Sequence, residues 1–271
     1  MFAKFKYDLK NDGSYPSEYV NEGSDIFLLH RAKVKGKLEK YIRSDGSLDA
    51  KEIEDDWFPT INAQVFLSHS HADEDKVKAF AGWLKRKYGI VSFIDSTVWG
   101  YANDLLWQMD NKFSRDRSGG LSYELTTQSS AHVHMLLECA LAKMINRCEC
   151  LIFINSPNSV KPKDISNKDL TGSPWIYNEI VMATTFPPRS LEEHRSRAIL
   201  EHSQQFSLNV SYPLKLDGFE TVRKEDFIAA ESRVEKSKQI LGLDDIDRRS
   251  DLVLEQLYVD KGILSKKLSR K

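Results

Sequence analysis

Trp175 and Glu179 stand four residues apart in the run SPWIYNEI, residues 173–180. On a helix that spacing places both on one face, while Ile176 and Ile180 share an adjacent face suited to a core. A fixed carboxylate can stabilise a sugar carbon that becomes oxocarbenium-like when its glycosidic bond breaks. An aromatic ring beside it can stack on a flat leaving group or shield the site. A single Trp-x-x-x-Glu is also what a core tryptophan and a solvated glutamate look like, so the surroundings must decide. Two more polar sets stand out. Ser68, His69, Ser70 and His71 end the apolar run QVFLS, and Asp95 ends the run IVSFI, with Trp99 and Tyr101 just beyond it.

Other candidates carry less. His132 and His134 form His-x-His, but in a helical stretch they diverge by roughly 200°, so a shared metal is not expected. Glu138 lies on the same stretch as a rival carboxylate, at the edge of a strip formed by Leu137, Leu141 and Met144. Of three cysteines, Cys148 and Cys150 precede the apolar run LIFIN. No second Cys or His pair stands at zinc spacing, and buried, reduced thiols are expected, on one face if they lie on a strand. Gly119-Gly120 belongs to no phosphate-loop or dinucleotide fingerprint.

The elements that would position these residues follow from periodicity. Residues 64–68, an amphipathic helix with Asp73 as its expected N-cap and Gly89 as its stop, and residues 90–94 read as strand, helix, strand with short connections. That is a parallel unit. A loop, STVWGYAN, leads to a helical stretch LLWQMDNKF. The polar, glycine-containing stretch near 112–130 reads as an insertion, followed by a helix from about His132 to Asn146 and a buried strand, CLIFIN. Ser173 then caps a helix with Pro174 at its first position. The first sixty residues read as a separate helical extension, with Ser24 capping a helix through IFLLHRAKVKGKLEKYI and a short helix DAKEIEDDW. Beyond these elements lie a charged helical stretch, a strand pair in FSLNVSYPLKL, a helix EDFIAAESRVEKSKQIL and a basic tail.

The chain has 271 residues, 41% hydrophobic and 29% charged, which is enough for a packed core. A net charge of −1 argues against a nucleic-acid partner. No apolar run reaches the length of a membrane span, and MFAKFKYDLKNDGSYP lacks the apolar centre of a signal peptide, so a cytoplasmic protein with no membrane partner is expected.

VFLSHSHADED, FIDSTVWGYANDLL, CLIFINSPNSV and SPWIYNEI occur in that order. Together they resemble the Toll/interleukin-1 receptor (TIR) domain in its bacterial, NAD-cleaving form, over roughly residues 61–215. The resemblance implies an α/β fold with a five-stranded parallel sheet of flavodoxin-like order. It divides the chain into a helical extension at 1–60, a TIR-like domain at 61–220 with the insertion near 112–130, and a helical C-terminal region with its basic tail at 221–271. Ligands in that order bind outside the carboxyl ends of the first and third strands, here the neighbourhoods of Ser68 and Asn155.

The resemblance implies an NAD⁺ glycohydrolase or ADP-ribosyl cyclase acting in anti-phage defence. Glu179 takes the catalytic place. Ser68, His69, Ser70, Phe93, Asp95, Trp99, Tyr101 and Trp175 become expected substrate contacts, those after Asp95 on the BB loop. NAD⁺ is then substrate rather than cofactor, and no metal is needed. Nicotinamide leaves the cationic glycoside as a neutral ring, so one carboxylate suffices. Self-association through the BB loop is expected, with an activator protein or nucleotide signal upstream. Two other readings stand beside this one: a non-catalytic TIR scaffold, and an enzyme resembling nucleoside deoxyribosyltransferases.

Overall fold

The computed structural model describes residues 1–9, 15–31, 37–161, 169–195, 212–213, 219–241 and 249–264. In chain order the elements are β1 (Ala3–Asp8), α1 (Ser17–Arg31), α2 (Ala50–Trp57), β2 (Val65–Ser68), α3 (Glu74–Tyr88), β3 (Ser92–Ile94), α4 (Ser96–Phe113), α5 (Tyr123–Arg147), β4 (Cys150–Asn155), β5 (Leu170–Thr171), α6 (Pro174–Thr185), α7 (Leu191–Arg195), β6 (Tyr212–Pro213), β7 (Glu220–Val222), α8 (Lys224–Leu241) and α9 (Arg249–Asp260). Five strands make one parallel sheet in the order β3-β2-β4-β1-β7, and β5 pairs antiparallel with β6. The expected α/β architecture with a five-stranded parallel sheet is therefore present.

Strand alternation divides the core into two layers. Val65, Leu67, Ile152 and Ile154 face one layer with Phe80, Leu84, Phe227 and Leu257. Phe66, Phe93, Leu151 and Phe153 face the other, with Leu105, Leu137, Ile176 and Ile180. β2 connects outward to β3, and the chain then returns across β2 to β4. The switch point thus lies between β2 and β4, and their carboxyl ends are Ser68 and Asn155.

Local chemistry explains several boundaries. Asp49 accepts a hydrogen bond from the Glu52 N–H and starts α2. Ser173 accepts from the Ile176 N–H and Pro174 opens α6, as the sequence predicts. Gly89 ends α3 with φ of 72°, where a Cβ would be strained.

The extension expected at 1–60 is the main difference. Its first residues form β1, which pairs with β4 on one side and β7 on the other. The C-terminal region likewise enters the sheet and core through β7, α8 and α9. Ser24 caps nothing. It lies inside α1 and donates back to the Val20 carbonyl at 2.8 Å. STVWGYAN is the opening of α4 rather than a loop, and α5 begins at Tyr123, so helix occupies much of the expected insertion. Cys148 and Cys150 are buried and unbridged, but they face opposite layers because Cys148 ends α5 before the strand begins. Burial raises the Cys148 thiol to about 12, which keeps it inert. Residues 196–211 and 214–218, which hold most of the expected strand pair, and the basic tail from 265 lie outside the described residues.

Phe5 tests whether β1 belongs to the core. Its ring is fully buried, so Phe5→Ala is expected to cost about 3–5 kcal/mol in urea unfolding. A dispensable extension would leave the transition unmoved.

Candidate active site

Glu179 is carried to the sheet by α6, which lies in the same layer as Phe66 and Phe93. Period-2 alternation places Ser68 on that side of β2. Leu67 pairs with Ile94, so Asp95 follows one step beyond, beside Ser68. The three side chains converge at the carboxyl end of the sheet. Ser68 Oγ donates to Glu179 Oε2 at 2.6 Å. Asp95 Oδ1 accepts from the Ser96 N–H at 2.9 Å and stands 2.5 Å from His69 Nδ1. His69 Nδ1 also lies 3.2 Å from the Leu67 carbonyl.

Burial governs the charges. Glu179 and Ser68 have no exposure, and His69 and Asp95 retain 3% and 4%. Burial first, and then the negative charge of Asp95, push the Glu179 carboxyl well above its ordinary range; the Ser68 hydrogen bond opposes this without reversing it. Burial alone would lower His69, yet the adjacent Asp95 carboxylate and the hydrogen bonds raise it overall. The surroundings thus favour the protonated form of both His69 and the Glu179 carboxyl. Two atoms of the cluster, Glu179 Oε1 and His69 Nε2, are buried with no hydrogen-bond partner among the described residues. The first is an oxygen that protonation would turn into a donor. The second is a ring nitrogen aimed at nothing described, which is costly in a core and ordinary in a binding site.

A neighbouring network fixes the end of β4. Asp73 accepts from Ser156 Oγ at 2.5 Å and from Asn158 Nδ2 at 2.8 Å, and Ser159 Oγ donates to the Ile154 carbonyl at 2.8 Å. Asp73 was expected to cap α3. It holds the N-cap position, but its carboxylate is turned across the switch point to the β4 loop instead.

The structure gathers only part of the expected set. Ser68, His69, Asp95 and Glu179 meet. Ser70 precedes a short 3-10 turn and makes no side-chain cap bond. Phe93 packs on Phe66 with ring centroids 5.2 Å apart and is core. Tyr101, expected on an exposed loop, is buried in the same layer. Trp99 lies in the first turn of α4, and its side chain is outside the described residues. Trp175 is half-buried and meets the His134 ring at 5.7 Å, while Glu179 turns inward. Trp175 and Glu179, expected on one face, thus turn apart, and the carboxyl is sealed from solvent. Two cavities, of about 440 Å³ between α2, α4 and α5 and about 220 Å³ near Arg147 and Arg195, do not include it. Glu138 is half-buried and outside the cluster. Among the described residues no group of His, Cys, Asp or Glu is arranged to hold a metal ion, and no helix is long and apolar enough to cross a membrane.

Asp95, expected as a substrate contact, also acts on Glu179, whose carboxyl its negative charge raises. The available signal was parity: Ser68 and Asp95 both fall on the phenylalanine side of their strands. No family model, curated protein or solved structure matches this chain.

Two measurements probe the cluster. Ser68→Ala leaves a buried acceptor bare and should cost about 1–3 kcal/mol in urea unfolding. Because folding raises Glu179 above its unfolded value, its contribution to stability is fully present below the ordinary carboxylate range and is lost as pH rises through its folded value. Glu179→Gln mimics the neutral acid and can still accept from Ser68. Its unfolding midpoint should therefore decline less with rising pH than that of the wild type; parallel declines would show that Glu179 is ionised in the fold.

Proposed function

We propose that the chain cleaves the nicotinamide–ribose bond of NAD⁺ at the carboxyl end of β2, with Glu179 as the catalytic carboxyl. The observation that carries this reading is the buried, incompletely satisfied cluster of Glu179, Asp95, Ser68 and His69 at the switch point of a parallel sheet, with the Glu179 carboxyl raised above its ordinary range. Strongly perturbed carboxyls concentrate at functional sites, and this position is where open α/β sheets bind ligands. The motif resemblance supplies the substrate. When the nicotinamide bond breaks, the ribose carbon gains positive charge, which Glu179 as its carboxylate would stabilise. Ser68 would orient that carboxylate, and the His69 Nε2–H would meet an acceptor on the substrate.

Glu179 has no exposure, so substrate entry requires displacement of the elements around it. The opening turn of α4 follows directly from Asp95, where the resemblance places the assembly-forming BB loop. Self-association at that turn is accordingly the proposed trigger of opening, with the product being ADP-ribose or its cyclic isomer and the role one in anti-phage defence in the cytoplasm.

The same zero exposure favours a second reading, a TIR-like assembly module without catalysis. One experiment separates the two: purified protein is incubated with millimolar NAD⁺ over a wide range of protein concentration, and nicotinamide is followed by chromatography. The enzymatic reading expects turnover per chain to rise with concentration and to fall at least about 100-fold in Glu179→Ala. Inert assemblies, or equal turnover in the variant, support the module.

A further inference from the structure

We propose that Asp73 is a latch that holds the crevice beside Glu179 shut, and that release of its bonds to the β4 loop is what opens the site. The proposal rests on the assignment of Glu179 as the catalytic carboxyl. It names the contact that opening must break.

The latch lies where an entrance belongs. In an open parallel sheet a ligand enters between the loops that leave the carboxyl ends of the strands at the switch point. Here those are the loop after Ser68, which runs into α3, and the loop after Asn155. Ser68 stands opposite Phe153 in the register of β2 with β4, and its hydroxyl holds Glu179 at 2.6 Å. The two loops therefore leave the sheet side by side, next to the buried carboxyl.

One side chain joins them. Asp73 Oδ2 accepts from Ser156 Oγ at 2.5 Å, and Asp73 Oδ1 accepts from Asn158 Nδ2 at 2.8 Å. Among the described residues no other hydrogen bond joins residues 69–73 to residues 156–160. The β4 side is a firm catch. Ser156 Oγ accepts from the N–H groups of Asn158 and Ser159 at 3.0 and 3.1 Å, the Ser156 N–H donates to Ser159 Oγ at 2.9 Å, and Ser159 Oγ donates to the Ile154 carbonyl. The β2 side is an arch. His71 and Ala72 are exposed at its crest, while Asp73 turns inward and retains 5% exposure.

An aspartate at the start of a helix ordinarily satisfies that helix's own N–H groups. Asp73 makes no such bond, so its carboxylate serves the crossing between the loops instead of α3. Two side-chain hydrogen bonds hold a loop closed yet leave it able to open, since losing one shifts such an equilibrium by roughly 10-fold. Asp73 is a positioning residue: it controls access and touches no reacting atom.

The test labels the carboxyls of the full chain with a water-soluble carbodiimide and glycine ethyl ester, and maps them by mass spectrometry. Alkylation of the buried Cys150 thiol in the same samples reports global unfolding. Asn158→Ala removes one bond of the latch at an exposed position. It should speed labelling of Glu179 by about 10-fold with Cys150 alkylation unmoved. Nicotinamide release from NAD⁺ at low protein concentration should rise by a similar factor. Glu179 labelling that is unchanged, or that rises only in step with Cys150, overturns the latch, because a merely structural bond would behave that way. Faster labelling in a protein that releases nicotinamide no faster than the wild type also overturns it. Faster labelling with no nicotinamide release from either protein at any concentration supports the latch and overturns the function assigned to Glu179. Should Asn158→Ala not fold, Asn158→Asp sets a second carboxyl against Asp73 at unchanged size, and the same outcomes decide.

Discussion

A carboxyl with no solvent contact is driven towards its neutral form, and burial works on Glu179 in that direction. His69 pairs with Asp95, Ser68 occupies one oxygen of Glu179, and α6 closes over the group with Ile176 and Ile180 on either side. Each arrangement depends on the layers of the sheet. If β2 slipped by one residue, Ser68 would leave the α6 side and Leu67 would take its place. The register of β2 with β3 and β4 is therefore a chemical constraint as well as a packing one.

The architecture was legible where hydrophobic runs were long. QVFLS, IVSFI and CLIFIN became β2, β3 and β4, and the Ser-Pro start of α6 marked a real boundary. β1 escaped notice for a physical reason. Ala3, Phe5 and Tyr7 are buried, but Lys4, Lys6 and Asp8 alternate with them and are only partly covered. An interior strand of a parallel sheet is expected to be apolar on both faces, and this one is apolar on a single face. β7 is three residues long, too short to show a period.

The site was half legible. Residue type and strand ends pointed to Ser68, His69, Asp95 and Glu179, but nothing local could show that Asp95 and Glu179 meet, since they lie on different elements far apart in the chain. Helical spacing was a weaker guide. It put Trp175 and Glu179 on one face, yet a face is wide enough for Trp175 to reach His134 while Glu179 turns to the sheet. Phe93 and Tyr101 entered the candidate set through the resemblance, and both are buried in the layer that holds Ile176 and Ile180.

The placement of β1 also bears on how the chain reaches its native state. Phe5 pairs with Ile152 on one side and Glu220 on the other. β1 must therefore wait for β7, more than two hundred residues later, before both of its edges are paired. Such distant pairing slows folding and leaves a sticky, half-apolar edge exposed during synthesis. Its three polar side chains, which hid it from periodicity, are then a safeguard while the strand remains alone.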